Sequence, residues 1–374
     1  MRSVIFTHQL YQPEKLFPFS LTKAVEELPA GMMNNRRRWE QIVERELQQG
    51  SGLYWFIPVN LLPSRQLVAQ LKTFSEGDFL QLDKGGILIG YGRAATDFSG
   101  TPTGHIPESD ADLIEYGWDI FEKNARLLRF DFELLTAGRQ SAPVDDGNRL
   151  STAGAVFIEE GADVRCAFIN ADKGPVYISR NALVMEGACI RGPVFIGEGA
   201  VVKMGTRIYG GTTIGAFCTV GGEIKNSVLF PFSNKAHDGY LGDSVIGSWC
   251  NLGAGTSNSN LKNTAGNIRV PLPSGVYTAG MKCGVLMGDY SKAAINSSFN
   301  SGTVTGICAH IFGAGLSPKW IPSFSWGYDA AIMYDLQKAL EHLERWMQTK
   351  KQTITENEKA LITQIYNQTK TKKS

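Results

Sequence analysis

The sequence predicts a mixed fold in three parts: an α/β domain over residues 1–150, a parallel β-helix over 151–316 and a helical extension over 317–374. Three observations predict it. Counting in sixes from Ile178 meets Val184, Ile190, Ile196, Val202, Ile208, Ile214 and Val220 without a miss. Six is neither the period of a half-buried strand nor that of a helix, so it reports a stacked supersecondary unit. The first 150 residues instead alternate strand-like and helix-like runs, and the last fifty return to the three-four spacing of amphipathic helices.

In the first part, Ser3–Thr7 and Leu53–Val59 read as strands, and Asn34–Gln48 as a helix with Trp39, Ile42, Val43 and Leu47 on one face. A second helix is expected over Ser64–Phe74. It is followed by strands at Phe79–Leu82 and Ile87–Gly92, joined by an Asp-Lys-Gly-Gly turn. The pattern from Glu108 to Thr136 is helical, and the Gly, Ser, Asp and Pro of Ala137–Ser151 suit a linker. No G-x-G-x-x-G or P-loop is present. The triplet Arg36, Arg37 and Arg38 at a helix start suits either a phosphate or, more simply, a solvated face.

Within the repeat, each aliphatic residue is preceded two positions earlier by a small or β-branched one: Val176, Ala182, Ala188, Val194, Ala200, Thr206, Thr212 and Cys218. A hexad of this kind gives a short strand and a corner, which bury their apolar side only when coils stack. The phase is interrupted at Phe168–Pro175, turns irregular over Asn226–Gly239 and breaks again over Thr256–Tyr277. It returns at Met287, Ala293, Phe299, Thr305 and Ile311. Such interruptions are where a rigid wall can present side chains to a ligand. Beyond the repeat, Asp329–Lys350 reads as one amphipathic helix, and Thr355 with Glu358 as the capping box of a second.

Composition narrows the partners. A net charge of +1 with 20% charged residues gives no reason to expect nucleic acid or an anionic membrane as a partner. The opening MRSVIFTHQLYQPEK lacks the apolar run of a signal peptide, so a cytoplasmic location is expected. All six cysteines lie in the repeat part and none forms a C-x-x-C pair, which argues against a disulfide framework or a zinc site, and Cys218 and Cys250, in the small-residue slot of their hexads, read as small buried hydrophobes.

One stretch gathers chemistry. Glu223 and Lys225 are followed by His237, Tyr240, Asp243, Asn251 and Asn260, and only this one of the five histidines stands among such neighbours. An imidazole beside a lysine, a phenol, carboxylates and amides on a stiff apolar wall suits a general base that takes a proton from an amine or hydroxyl, a contribution of about 10²–10⁴ in rate.

With the hexad run, these residues resemble the left-handed β-helix acyltransferases. Glu223, Lys225, His237, Tyr240-Leu241-Gly242-Asp243, Asn251, Gly253-Ala-Gly-Thr256 and Asn260 are similar in spacing to the acetyltransferase half of the bifunctional N-acetylglucosamine-1-phosphate uridyltransferase/glucosamine-1-phosphate acetyltransferase family. The resemblance implies a left-handed β-helix, a homotrimer with sites between prisms, and acetyl-CoA as cosubstrate. It implies that His237 deprotonates a sugar amine, that Lys225 and Tyr240 hold the sugar phosphate, and that Asn251 and Asn260 position the acceptor. Glu223 belongs to the same substrate-binding set, and Arg207 stands near the place of the family's phosphate-binding arginine. This chain departs from the family at Leu261 and Gly266, where a tyrosine and a lysine are expected.

The first part resembles a shortened sugar nucleotidyltransferase-like domain through Phe19-Ser-Leu-Thr-Lys23-Ala, Leu28-Pro-Ala-Gly31 and Trp39. The arginines of that variant are replaced at Lys23 and Pro29, which implies lost nucleotidyl transfer unless Arg36–Arg38 compensate, with Mg²⁺ needed only if activity survives. The expected function is a transferase that moves acetyl from acetyl-CoA to an amino sugar phosphate or nucleotide sugar. The alternatives are an active sugar-1-phosphate nucleotidyltransferase and a non-catalytic sugar-nucleotide-binding protein.

Overall fold

The computed structural model describes residues 3–83, 85–107, 110–328 and 332–371. They form two compact units, one of Met1–Pro13, Lys23–Pro29 and Met33–Glu115, the other of Glu14–Thr22, Ala30–Met32 and Tyr116–Ser374.

The first unit is built on a five-stranded mixed sheet in the order Val4–Thr7, Tyr54–Pro58, Ile87–Gly92, Phe79–Leu82, Gly104–Ile106. The last of these strands has no alternation that marked it in the sequence; it is held by parallel pairing to Phe79–Leu82. The helix Asn35–Glu46 starts where the Asn34 side chain accepts from the Arg37 amide, and it buries Trp39, Ile42 and Val43. Trp39 Nε1 donates to the Leu61 carbonyl at 2.8 Å, so the ring's polar edge is satisfied inside the core. Lys84 of the expected Asp-Lys-Gly-Gly turn lies outside the described residues.

The helix expected over Glu108–Thr136 is shorter in the structure. Glu108 lies outside the described residues, and the chain around Asp112–Ile114 is extended because its backbone bonds Asn60 and Leu62. Helix begins only at Asp119–Glu122 and continues as Asn124–Thr136.

The second unit is a parallel β-solenoid with three walls. One wall has nine strands from Val156–Ile158 to Trp320–Ile321, and a second has nine parallel strands from Asp163–Val164 to Ser325–Trp326 plus antiparallel Ile332–Met333. A third runs through six, from Arg149–Ser151 to Tyr240–Gly242. Three hexads complete one coil, so residues eighteen apart stack: Ile178 on Ile196 on Ile214 along the first wall. All eight aliphatic residues counted from Ile178 are buried in one continuous core, together with the small residues that precede them. At about 1.5–3 kcal/mol for each buried aliphatic side chain, this stack is the unit's main source of cohesion.

Two expected interruptions prove to be walls. Phe168–Asn170 pairs in register with both Arg149–Ser151 and Cys189–Arg191, and the extra residues lie in the corner beyond it. Likewise Val228–Leu229 and Asn234–Lys235 continue the first and second walls, because the phase slips at shortened corners instead of leaving the column. Of the three, the third is a long excursion, where the chain leaves after Ser257–Asn258, forms the hairpin Arg269–Leu272/Gly275–Thr278 and returns at Val285–Met287.

The helix Asn124–Thr136 lies on the first wall, with Leu128 and Phe132 against Phe157 and Tyr177. Ala30–Met32 belongs to the same unit. The Gly31 amide donates to Asn124 Oδ1 at 2.6 Å, its carbonyl accepts from the Thr213 hydroxyl at 2.7 Å, and the Met32 amide donates to Asp131. Later in the chain Leu336–Gln348 and Glu356–Thr371 bury Leu343, Met347, Ile362 and Ile365 beside Trp249, Ile307 and Phe324. The expected start at Asp329 lies outside the described residues; Asp335 caps the helix by accepting from the Lys338 amide. Thr355 and Glu358 bond reciprocally at the start of the last helix, as the capping box requires. Cys166 and Cys189 are exposed, whereas Cys218, Cys250, Cys283 and Cys308 are buried thiols.

Ile196→Ala opens a cavity between Ile178 and Ile214 and is expected to lower stability by about 2–5 kcal/mol, against about 0.5–1.5 for Ile196→Val. Equilibrium urea unfolding of the two variants checks both the sign and the ratio.

Candidate active site

His237 occupies the corner between the second and third walls, two residues after Lys235 and three before Tyr240. Its side chain is exposed. The corner below it is Gly221-Gly222, where φ at Gly222 is +75° and an added Cβ would lie 2.9 Å from the His237 carbonyl oxygen. The corner above it is Gly253-Ala254-Gly255, whose Gly255 amide donates to the Asp238 carbonyl at 3.0 Å. An imidazole therefore projects from a stack whose neighbouring corners carry no side chain larger than a methyl group. Gly239 is also required, because φ is +120° and a Cβ would stand 2.1 Å from the Thr256 carbonyl oxygen.

Beneath this corner lies a residue that was not singled out in the sequence. Lys235 is fully buried, and its ammonium donates to the His237 carbonyl and, at 3.4 Å, to that of Gly221. Burial pushes it down to about 8. A readable signal existed, since counting in sixes from Leu229 reaches Lys235 and then Leu241, an inward slot filled by a cation.

The third wall carries most of the remaining candidates as a ladder. Arg207, Glu223 and Tyr240 stack in register, with Lys225 beside Gly242. Arg207 and Glu223 form an ion pair at 3.6 Å with side chains 51% and 34% exposed, a pair weak enough to yield to a bound anion. Lys225 is exposed. Asn260, on the excursion, folds back so that Nδ2 donates to the Tyr240 hydroxyl at 3.0 Å and to Asp243. Asp243 is buried at φ +48° and also accepts from Asn226 at 2.7 Å. Burial and the charges of Asp243 and Glu223 push the Tyr240 phenol up to about 12, so it is held as a donor.

At Tyr240 the third wall changes its mode of pairing. Ser257 Oγ accepts from the Tyr240 amide, and Asn258 bonds both the amide and the carbonyl of Gly242, so side chains replace the backbone ladder. Asn251 stands apart from the ladder: it lies on the second wall, in register with Asn234 and Lys292. Lys262, the cation nearest the departed family lysine, donates to the Asn267 carbonyl within its own loop.

The arginine triplet does not form a phosphate cradle. Arg36 pairs with Glu26 at 2.6 Å and with Glu27, and it lies over the Phe6 ring, while Arg38 is buried and donates to the Met33 carbonyl at 3.0 Å. Arg37 is exposed. Among the described residues no group of three or more His, Cys, Asp or Glu is placed to hold a metal ion. Among them, too, no helix is long and apolar enough to cross a membrane.

Residues 11–140 match the family described as Sugar nucleotidyl transferase. The chain is also similar to curated relatives. It is 36% identical over 84 residues to the bifunctional protein GlmU of Methanocaldococcus jannaschii, covering 22% of this chain and 21% of that protein. It is 30% identical over 116 residues to the bifunctional protein GlmU of Methanococcus aeolicus, 31% of this chain and 25% of that protein. A third relative, the bifunctional sugar-1-phosphate nucleotidylyltransferase/acetyltransferase of Sulfurisphaera tokodaii, is 33% identical over 91 residues, 24% and 23% of the two chains. The chain thus spans about a fifth to a quarter of the length of these relatives. Within the stretch that matches the sugar nucleotidyl transferase family, Gly31 and Met32 are bonded to the solenoid's own helix and wall, and Thr22 donates to Asp289 at 2.7 Å. Those positions serve packing in this chain.

Because the folded chain holds Lys235 near 8 and the unfolded chain near 10.5, the unfolded state binds more protons between these values. Stability conferred by this residue therefore rises with pH from about 8 to 10.5. The stability difference between wild type and Lys235→Met, measured by urea unfolding at several pH values, is expected to move in favour of wild type across that window. A difference independent of pH would show that the ammonium stays charged in the fold.

Proposed function

We propose that the solenoid unit is an N-acetyltransferase acting on an amino sugar phosphate or a nucleotide sugar, with acetyl-CoA as donor. The observation that carries this reading is the exposed His237 imidazole between two corners bare of large side chains, with the Tyr240 phenol three residues away and Lys225 on the adjoining wall. In this reading His237 takes one proton from the neutral sugar amine as its nitrogen attacks the thioester carbonyl. The C–S bond breaks, and the proton passes to the departing CoA thiolate. Tyr240, kept protonated, donates to the sugar phosphate. Lys225 and Arg207 supply positive charge to it, with Glu223 released from Arg207. Asn260, fixed by Asp243, orients the acceptor, and Asn251 reaches it from the second wall. A left-handed winding and a homotrimer with sites between prisms accompany the proposal, as the resemblance to the hexapeptide acyltransferases implies. The names of the relatives support the same pairing of activities.

A second reading is favoured by the match over residues 11–140: a sugar-1-phosphate nucleotidyltransferase that uses Mg²⁺. Against it stand the ion-paired Arg36, the buried Arg38 and the structural use of Gly31. Pyrophosphate release from UTP or dTTP with a sugar 1-phosphate and Mg²⁺ separates the two activities.

Wild-type protein is expected to release CoA thiol from acetyl-CoA in the presence of glucosamine 1-phosphate or its nucleotide-linked form, and His237→Ala to lower kcat by about 10²–10⁴. Turnover in neither protein removes the acetyltransferase reading. Tyr240→Phe is expected to raise KM for the sugar phosphate about tenfold, corresponding to about 1.4 kcal/mol for one lost hydrogen bond to a charged group, and to leave KM for acetyl-CoA unchanged.

A further inference from the structure

The solenoid unit also holds a cavity that shares only Asn251 with the residues assigned above to acetyl transfer. It has a volume of about 270 Å³ and lies between the second wall and the helix Leu336–Gln348. The wall contributes Asn251, Lys292 and His310, which follow one another in register. The helix contributes His342 and Trp346, and Tyr334 closes one side. None of His237, Tyr240 or Asn260 lines it.

Its lining has an unbalanced charge. No aspartate or glutamate lines the cavity, and among the described residues Lys292 has no carboxylate partner. The Lys292 ammonium donates to the Trp249 carbonyl and sits 4.2 Å from the centre of the Trp346 ring. A cation–π contact and one carbonyl are poor compensation for the water an ammonium gives up, and burial pushes Lys292 down to about 8. The other titratable groups in the lining are neutral or cationic. Burial, Lys292 and His342 together push His310 down to about 4, and burial holds the Tyr334 phenol up at about 12, where it bonds His342 Nδ1. Within the lining His310 meets Tyr334 edge-on at 4.5 Å, and behind it His310 stacks on Trp326 at 5.0 Å.

We propose that this cavity binds a small organic carboxylate with a flat apolar body, its anion paired with Lys292 and its body held between the aromatic side chains of the wall and the helix. One lysine matches a monoanion better than a phosphate dianion, for which arginine forks are the usual partners. The volume falls below the roughly 300–1,000 Å³ of sites for drug-sized ligands, which limits the occupant to a single small ring or a short branched acid. Such a ligand would touch both the wall and the helix that covers it, so its binding would strengthen the docking of that helix.

Benzoate is the probe, with benzamide as its neutral counterpart, both titrated calorimetrically into the full-length protein. The expected result is saturable benzoate binding with a raised Tm, benzamide at least tenfold weaker, and benzoate affinity unchanged in His237→Ala. Lys292→Met is expected to abolish benzoate binding. Ala339→Phe, which fills the cavity from the helix side, is expected to do the same and serves if Lys292→Met does not fold. Absence of benzoate binding to the wild type at millimolar concentration overturns the proposal. Equal affinity for benzoate and benzamide, or undiminished binding in the folded variants, also overturns it.

Discussion

The stacking of residue on residue eighteen positions apart is the constraint on which the second unit depends. Each coil has too little apolar surface to be stable alone, and its strands are only two or three residues long. Stability comes when Ile178, Ile196 and Ile214, and the equivalent lines on the other walls, bury one another in a single column. The column is therefore stiff along its length, and chemical variety is confined to its corners and to the points where a coil departs from the repeat.

The candidate active site uses both kinds of place. His237 is held at a corner by a buried ammonium below its own carbonyl and by glycines that let the flanking corners approach. Tyr240 and Asn260 are brought together where the third wall gives up backbone pairing and the excursion begins. The polar interior at Lys235 is costly in isolation and tolerated because two backbone carbonyls receive it. A cation inside an otherwise aliphatic column, directly beneath the one histidine of the constellation, links the cohesion of the coil to the geometry of the site.

Two walls of the solenoid unit are covered by helices that solve different problems. Asn124–Thr136 is anchored by a buried polar knot, in which Asn124 bonds the Gly31 amide, the Gly211 carbonyl and Thr213. Leu336–Gln348 lies over a wall whose outward ladder is Asn251, Lys292, His310 and Trp326, polar and aromatic rather than aliphatic. The first interface is closed by hydrogen bonds, and the second leaves a cavity beside a cation.

Much of this was legible in the residues alone. The hexad count from Ile178 to Val220 identified the column, because a rigid repeat imposes the same side-chain demand at every coil, and the pair Thr355 and Glu358 marked a helix start through purely local bonds. The grouping of Glu223, Lys225, His237 and Tyr240 was also visible, since one coil and its corner bring them within reach without help from distant chain. What the tertiary structure decided was everything that depends on partners remote in sequence. It kept Asn226–Gly239 in the wall by shortening corners, a change of phase that a strict count in sixes misses. It buried Lys235, tied up Arg36 and Arg38 in pairs that leave no phosphate cradle, and put Gly31 to work as a peg. It also separated Asn251 from Tyr240 by placing them on different walls. Local periodicity is written into consecutive residues, whereas the balance between burial and pairing of a charge is set by whatever the fold brings beside it.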